Sequence, residues 1–144
     1  MKRIIKLMAM LMCVATMGML CACGDDNEEL IVGKWKMTAQ SDSENGGGVQ
    51  PVTNKEEIWE FKADGTMVES VHRQDEVADY TTTETATYTV SGDKLTMRQS
   101  GMGNIVVELT IQKLDKKELV VNYTGPLFKG SSGEVEIVYY FERM

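Results

Sequence analysis

Few residues in this chain have the chemistry for a reaction, and their spacing decides what each could do. There are three cysteines, Cys13, Cys21 and Cys23, and one histidine, His72. The carboxylates Glu56, Glu57, Glu60 and Asp64 crowd one short stretch. A lone histidine with no nucleophile beside it in sequence is more often a surface or structural residue than a base. Strand alternation separates the four carboxylates, so a charged outer face explains them without a glycosidase pair. Asp42-Ser43-Glu44-Asn45-Gly46 has the composition of a calcium loop, but its glycine comes one place early. Thr53 also stands where the bidentate glutamate belongs. No Gly-x-Ser-x-Gly and no glycine-rich loop opening a helix is present. The expectation is a protein that is not an enzyme and that uses no metal and no cofactor.

Cys23 is the exception, because of what surrounds it. Lys2, Arg3 and Lys6 make a positive start, and an uncharged apolar run of 14 residues fills positions 7–20. A membrane-spanning helix needs about 20 apolar residues. This run is too short and acidic residues follow it, which is the pattern of a secretory signal. Leu20-Cys21-Ala22-Cys23 resembles a bacterial lipobox, the cleavage and acylation signal of lipoproteins. The resemblance implies that residues 1–22 are removed and that Cys23 is lipidated. Cys21 is the poorer acceptor, since Leu20 before it fits badly in a pocket for small residues. All three cysteines then lie in or at the end of the leader, so the mature domain has no disulfide and is held by its core alone.

The mature part would be 122 residues, the 144 of the chain less 22. That suits one domain burying roughly two-thirds of its unfolded surface. The leader holds three of the 15 basic residues and none of the 22 acidic ones, so 12 against 22 leave a mature net charge of −10. Such a charge excludes nucleic acid, whose phosphates need basic partners, and electrostatic docking on anionic lipid. The lipid would be the contact with the membrane. Residues 23–29 form an acidic tether with two readings. One is a solvated spacer. The other is by resemblance: acidic residues after the acylated cysteine look like the export signal of Bacteroidota-type surface lipoproteins. Either way the protein is expected on the outer membrane, at the cell surface on the second reading and facing the periplasm on the first.

Residues 30–144 are expected to fold as strands. Thr, Val, Tyr and Ile are frequent, apolar residues alternate, and turn signals recur every 8 to 12 residues. Eight strands are expected, near 31–39, 57–63, 66–73, 82–91, 94–99, 105–114, 118–124 and 134–143. Trp35 and Met37 share one face, as do Trp59 with Phe61, Tyr88 with Val90, and Tyr139 with Phe141. Alternation is muddled in the third strand, where Glu69 or His72 could turn inward. Sequential strands with short turns make an antiparallel meander, and closing it covers the apolar face and removes the edges. An eight-stranded up-and-down barrel is the first expectation and a two-sheet β-sandwich the second.

Leu30-Ile31-Val32-Gly33-Lys34-Trp35 resembles the opening motif of lipocalin-like domains, a glycine two residues before a tryptophan on the first strand. Trp59-Glu60-Phe61-Lys62-Ala63-Asp64-Gly65-Thr66 is similar to the second hairpin of small bacterial lipocalin-like lipoproteins. The resemblance implies a binding module. Trp35, Trp59, Tyr88, Tyr123 and Tyr139 are its candidate ligand-binding residues, against the plainer role of filling the core. Since the faces assigned inward hold no Arg or Lys, a ligand would be neutral and largely apolar, or would bind at the loop end. The alternative function is an accessory lipoprotein with a filled barrel. It would offer a protein partner the outward apolar residues Val120, Val138 and Tyr140.

Overall fold

The computed structural model describes residues 26–74, 78–100, 104–126 and 133–144. Cys23 and the leader lie outside the described residues. A short helix, α1 (Asp26–Ile31), comes first, so the acidic stretch is helical from Asp26 onward. Then follow β1 (Gly33–Asp42), a two-residue β2 (Gln50–Pro51), β3 (Glu56–Phe61), β4 (Thr66–Gln74) and β5 (Asp79–Ser91). The chain ends with β6 (Lys94–Gln99), β7 (Ile105–Leu114), β8 (Glu118–Pro126) and β9 (Glu134–Arg143).

Every pairing is antiparallel, and each long strand pairs with the next in sequence. β1 joins both ends of the meander. Its first residues pair with β3, from Gly33 opposite Phe61 to Lys36 opposite Ile58. Its other edge pairs with β9 from Trp35 opposite Arg143 to Asp42 opposite Ile137. The eight long strands therefore form a closed barrel, and the sandwich is excluded. A bulge between Met37 and Ala39 bends β1 as it crosses from one neighbour to the other.

The two ends of the barrel differ. At one end lie the tight turns. Asp64-Gly65 turns β3 into β4, with the Asp64 carboxylate accepting from the Thr66 amide at 2.9 Å. Asp115 turns β7 into β8, accepting from the amides of Lys117 and Glu118. α1 lies against this end, with the Asn27 side chain donating to the Gly92 carbonyl at 2.8 Å. Ile31, on the helix, is wholly buried, as are Trp35, Leu95, Leu119 and Val121. β4, β6 and β8 run out at the other end.

One cluster locks the turn end shut. The Trp35 indole N–H donates to the Ile31 carbonyl at 2.7 Å. The Arg143 guanidinium lies over the Trp35 ring at 4.1 Å. It also donates to the Val32 carbonyl at 2.9 Å and to the Leu30 carbonyl. First strand, last strand and helix thus meet on one ring, a stacking that contributes about 0.5–2 kcal/mol beyond its hydrogen bonds. Gly33 is required there. Its φ is +142°, and a Cβ on it would run into the Arg143 guanidinium.

Trp35→Ala should therefore lower stability by about 3–5 kcal/mol in urea unfolding. Gly33→Ala should lower it by about 1–3 kcal/mol, and by less in an Arg143→Ala background. Full additivity of those two changes would mean that the side chains do not meet.

Candidate functional site

Barrel interiors are normally packed close to crystal density, with few voids larger than a water molecule. This one is packed that way around Trp35 but not throughout. A cavity of about 110 Å³ lies among β3 to β7. Trp59 forms one wall, and Met67, Ala86, Met97 and Val107 form the others. Glu69, Glu84, Gln99 and Ile105 stand at its rim. Ile105 is 48% exposed and Glu84 is exposed, so the cavity opens on that side.

Two-residue alternation places these side chains. In β4, Met67 opposes Phe61 and Ala86, so its face is the inner one. Glu69 is the next residue on that face. It lies opposite Trp59 on one side and Glu84 on the other. Glu57 shares the inner face of β3 with Trp59 and Phe61, and only 4% of it is exposed. Its carboxylate accepts from the Trp59 indole N–H at 3.0 Å and pairs with the Lys55 ammonium. The Glu84 carboxylate accepts from the Gln99 amide at 2.7 Å.

Three carboxylates thus face a half-dry space. Burial pushes Glu69 up to about 7, with the neighbouring Glu57 and Glu84 carboxylates adding to the rise. Tyr139 is raised in the same way, by burial first and then by Glu57 and Glu69. Among the described residues no ion pair reaches Glu69 or Glu84; Lys55 is committed to Glu57. Of the two β4 residues whose direction the muddled alternation left open, Glu69 turns inward. The expectation that the inward faces hold no Arg or Lys is corrected: Arg143 follows Phe141 on the inner row of β9 and lies over Trp35, and Lys55 pairs with the buried Glu57.

The aromatic candidates are spread along the barrel. Trp59 lines the cavity. Tyr139 is next to it, with ring centroids 6.1 Å apart. Phe141 lies on Trp59 at 4.6 Å. Trp35 is at the closed end and away from the cavity. Tyr88 packs edge-on against Phe61 at 4.9 Å and donates to the Lys62 carbonyl at 2.8 Å, also at the turn end. Tyr123 donates to the Pro126 carbonyl at 2.8 Å within β8.

Other sequence candidates find structural roles. His72 faces outward, its Nδ1 3.1 Å from the Thr81 hydroxyl and its Nε2 3.6 Å from Asp79. Asp42 caps a short 3-10 turn, accepting from the Glu44 amide at 2.9 Å. Among the described residues no three His, Cys, Asp or Glu groups converge to hold a metal. Val120, Val138 and Tyr140 stand together on the outer face of β8 and β9, Val120 opposite Tyr140, and all three are half-buried. That leaves less apolar surface there than their spacing implies.

A sequence profile described as a lipocalin-like domain matches residues 31–121, from the end of α1 into β8. Among solved structures, the barrel is similar to the bovine lipocalin allergen Bos d 2, with 14% identity and a TM-score of 0.52. That match covers 82% of this chain and 75% of the other. It is also similar to the bovine odorant-binding protein in complex with a selenium-containing odorant. There the identity is 13% and the TM-score 0.51, over 83% of this chain and 73% of the other. No curated protein sequence matches the chain.

The Glu69 shift has a definite sign. Its folded-state value lies above the unfolded one of 4.5, so the folded state holds the proton more tightly. Stability should fall as pH rises from about 4.5 to about 7. Glu69→Gln should flatten that slope and make the protein more stable than wild type at pH 8, as read by thermal melts across the range. An unchanged slope would show that the Glu69 carboxyl is not in this environment.

Proposed function

The chain belongs to the lipocalin-like domain family, and from that premise we propose that its barrel binds a compact, largely apolar small molecule in the cavity beside Trp59. The family's members bind and transport rather than catalyse. One observation carries the reading: a void remains in a barrel that is otherwise closely packed. An apolar void of about 150 Å³ can hold benzene, so a space of about 110 Å³ sets the scale of the ligand at a small ring or a short branched chain. Long-chain lipids are outside that scale.

We further propose that the protein is held at the outer membrane through lipid on Cys23, with the acidic residues after it favouring the cell surface. The lipobox-like residues Leu20 to Cys23 support this reading. Among the described residues no helix is long and apolar enough to cross a membrane. A lipid foot followed by the net-negative domain would hold the barrel away from anionic headgroups.

Toluene should bind the purified domain, as followed by titration calorimetry and by quenching of tryptophan fluorescence. Ala86→Phe should weaken that binding at least about tenfold by filling the space, while leaving circular dichroism unchanged. Equal binding by the variant would place the ligand elsewhere. Radiolabelled palmitate should enter the protein in its own host and not a Cys23→Ser variant. Protease added to intact cells should then remove the domain if it is displayed outward.

A further inference from the structure

The walls of the cavity suit an apolar body, but its rim does not suit a wholly neutral one. Glu69 and Glu84 are directly opposed across β4 and β5, both on the inner face. Like charges facing each other across strands are destabilising, and a carboxylate held partly out of water, as that of Glu69 is, needs compensation. Glu57 has that compensation, from Lys55 and the Trp59 indole N–H. Glu84 has one amide donor, from Gln99. Glu69 sits between the other two carboxylates, beside the cavity, and while protonated it is compensated by hydrogen bonding to Glu57 and Trp59. Once Glu69 ionises, above about pH 7, three carboxylates border this space and, among the described residues, only the Lys55 ammonium is paired with them.

We infer that the cavity takes a small organic ammonium ion, its apolar body against Trp59, Met67, Met97 and Val107 and its charged nitrogen between the Glu69 and Glu84 carboxylates. This rests on the reading of the cavity as a ligand site and specifies the ligand's class. A primary ammonium brings three donors, enough for both carboxylates and the Gln99 carbonyl oxygen. The bonds to the carboxylates are charge-assisted and stronger than neutral ones. Trp59 adds the electrostatic attraction of an aromatic ring for a cation. A metal ion fits less well, because no three ligating groups converge among the described residues and the remaining walls are apolar.

The groups facing Glu69 set the pH behaviour. They are Glu57 and Trp59 on β3 with Lys55 just before it, Glu84 on β5, Gln99 on β6 and Tyr139 on β9. With no ligand, Glu69 keeps its proton until about pH 7. An ammonium ion must displace that proton, so its binding strengthens as pH rises through this range.

Benzylamine and the isosteric benzyl alcohol separate the possibilities, measured by calorimetry on the intact folded domain. At pH 8 benzylamine should bind at least about tenfold tighter than the alcohol. The preference should shrink at pH 5.5, and in Glu69→Gln and Glu84→Gln at either pH. Should both compounds bind equally, or should the two variants leave the preference intact, the ammonium inference is wrong while the cavity reading stands. If neither compound binds, the cavity reading fails and takes the inference with it.

Discussion

The structure depends on β1 being paired along both of its edges. A meander of strands with one apolar face has two problems, an uncovered face and two open edges. Here one strand solves both, because it meets β3 with its first residues and β9 with nearly its whole length. Two such partners demand a bend, and the bulge between Met37 and Ala39 supplies it. They also demand that the first and last strands be fixed to each other at a definite height. The Arg143 guanidinium over Trp35, bonded to the carbonyls of Leu30 and Val32, sets that height.

Packing then divides the barrel into two regions with different uses. Around Trp35 the interior is filled by Ile31, Leu95, Leu119, Val121 and Phe141, each nearly or wholly buried. Toward the end opposite the tight turns the inner row changes from large apolar residues to Glu57, Glu69, Ala86 and Glu84. Alanine leaves space, and the carboxylates resist closer packing because burying them is unfavourable. The cavity is the consequence. The filled end holds the most deeply buried side chains, and the other keeps a cavity bordered by carboxylates.

Much of this is legible in the residues. Three strands, 94–99, 105–114 and 134–143, fall where alternation and turn residues place them. The inward faces of Trp59, Leu95, Val107 and Leu119 follow from the same period of two. Other features escape for identifiable reasons. α1 has six residues, too few to show a helical period, and its acidic composition reads as spacer. β2 exists only because β1 outruns β3 and leaves an edge at Ala39 and Gln40. Parity does carry the inward position of Glu57, two residues before Trp59, but a charged residue next to Glu56 and Glu60 reads as part of an outer face. Glu69 is masked because Thr66 to His72 mixes polar and apolar side chains on both faces. Only its partners, Trp59 and Glu84, decide which way it points. Closure itself depends on β1 meeting β9, a pairing between opposite ends of the chain that no local pattern encodes.

The division into a filled end and a hollow end is the claim on which ligand size, ligand class and the pH behaviour of Glu69 all rest. A crystal of the domain pressurised with xenon examines it directly, since xenon enters dry apolar voids and gives strong density. The account predicts one xenon peak bounded by Trp59, Met67, Ala86, Met97 and Val107, and none beside Trp35. Side-chain density filling that space, or xenon lodged at the Trp35 end, would contradict it.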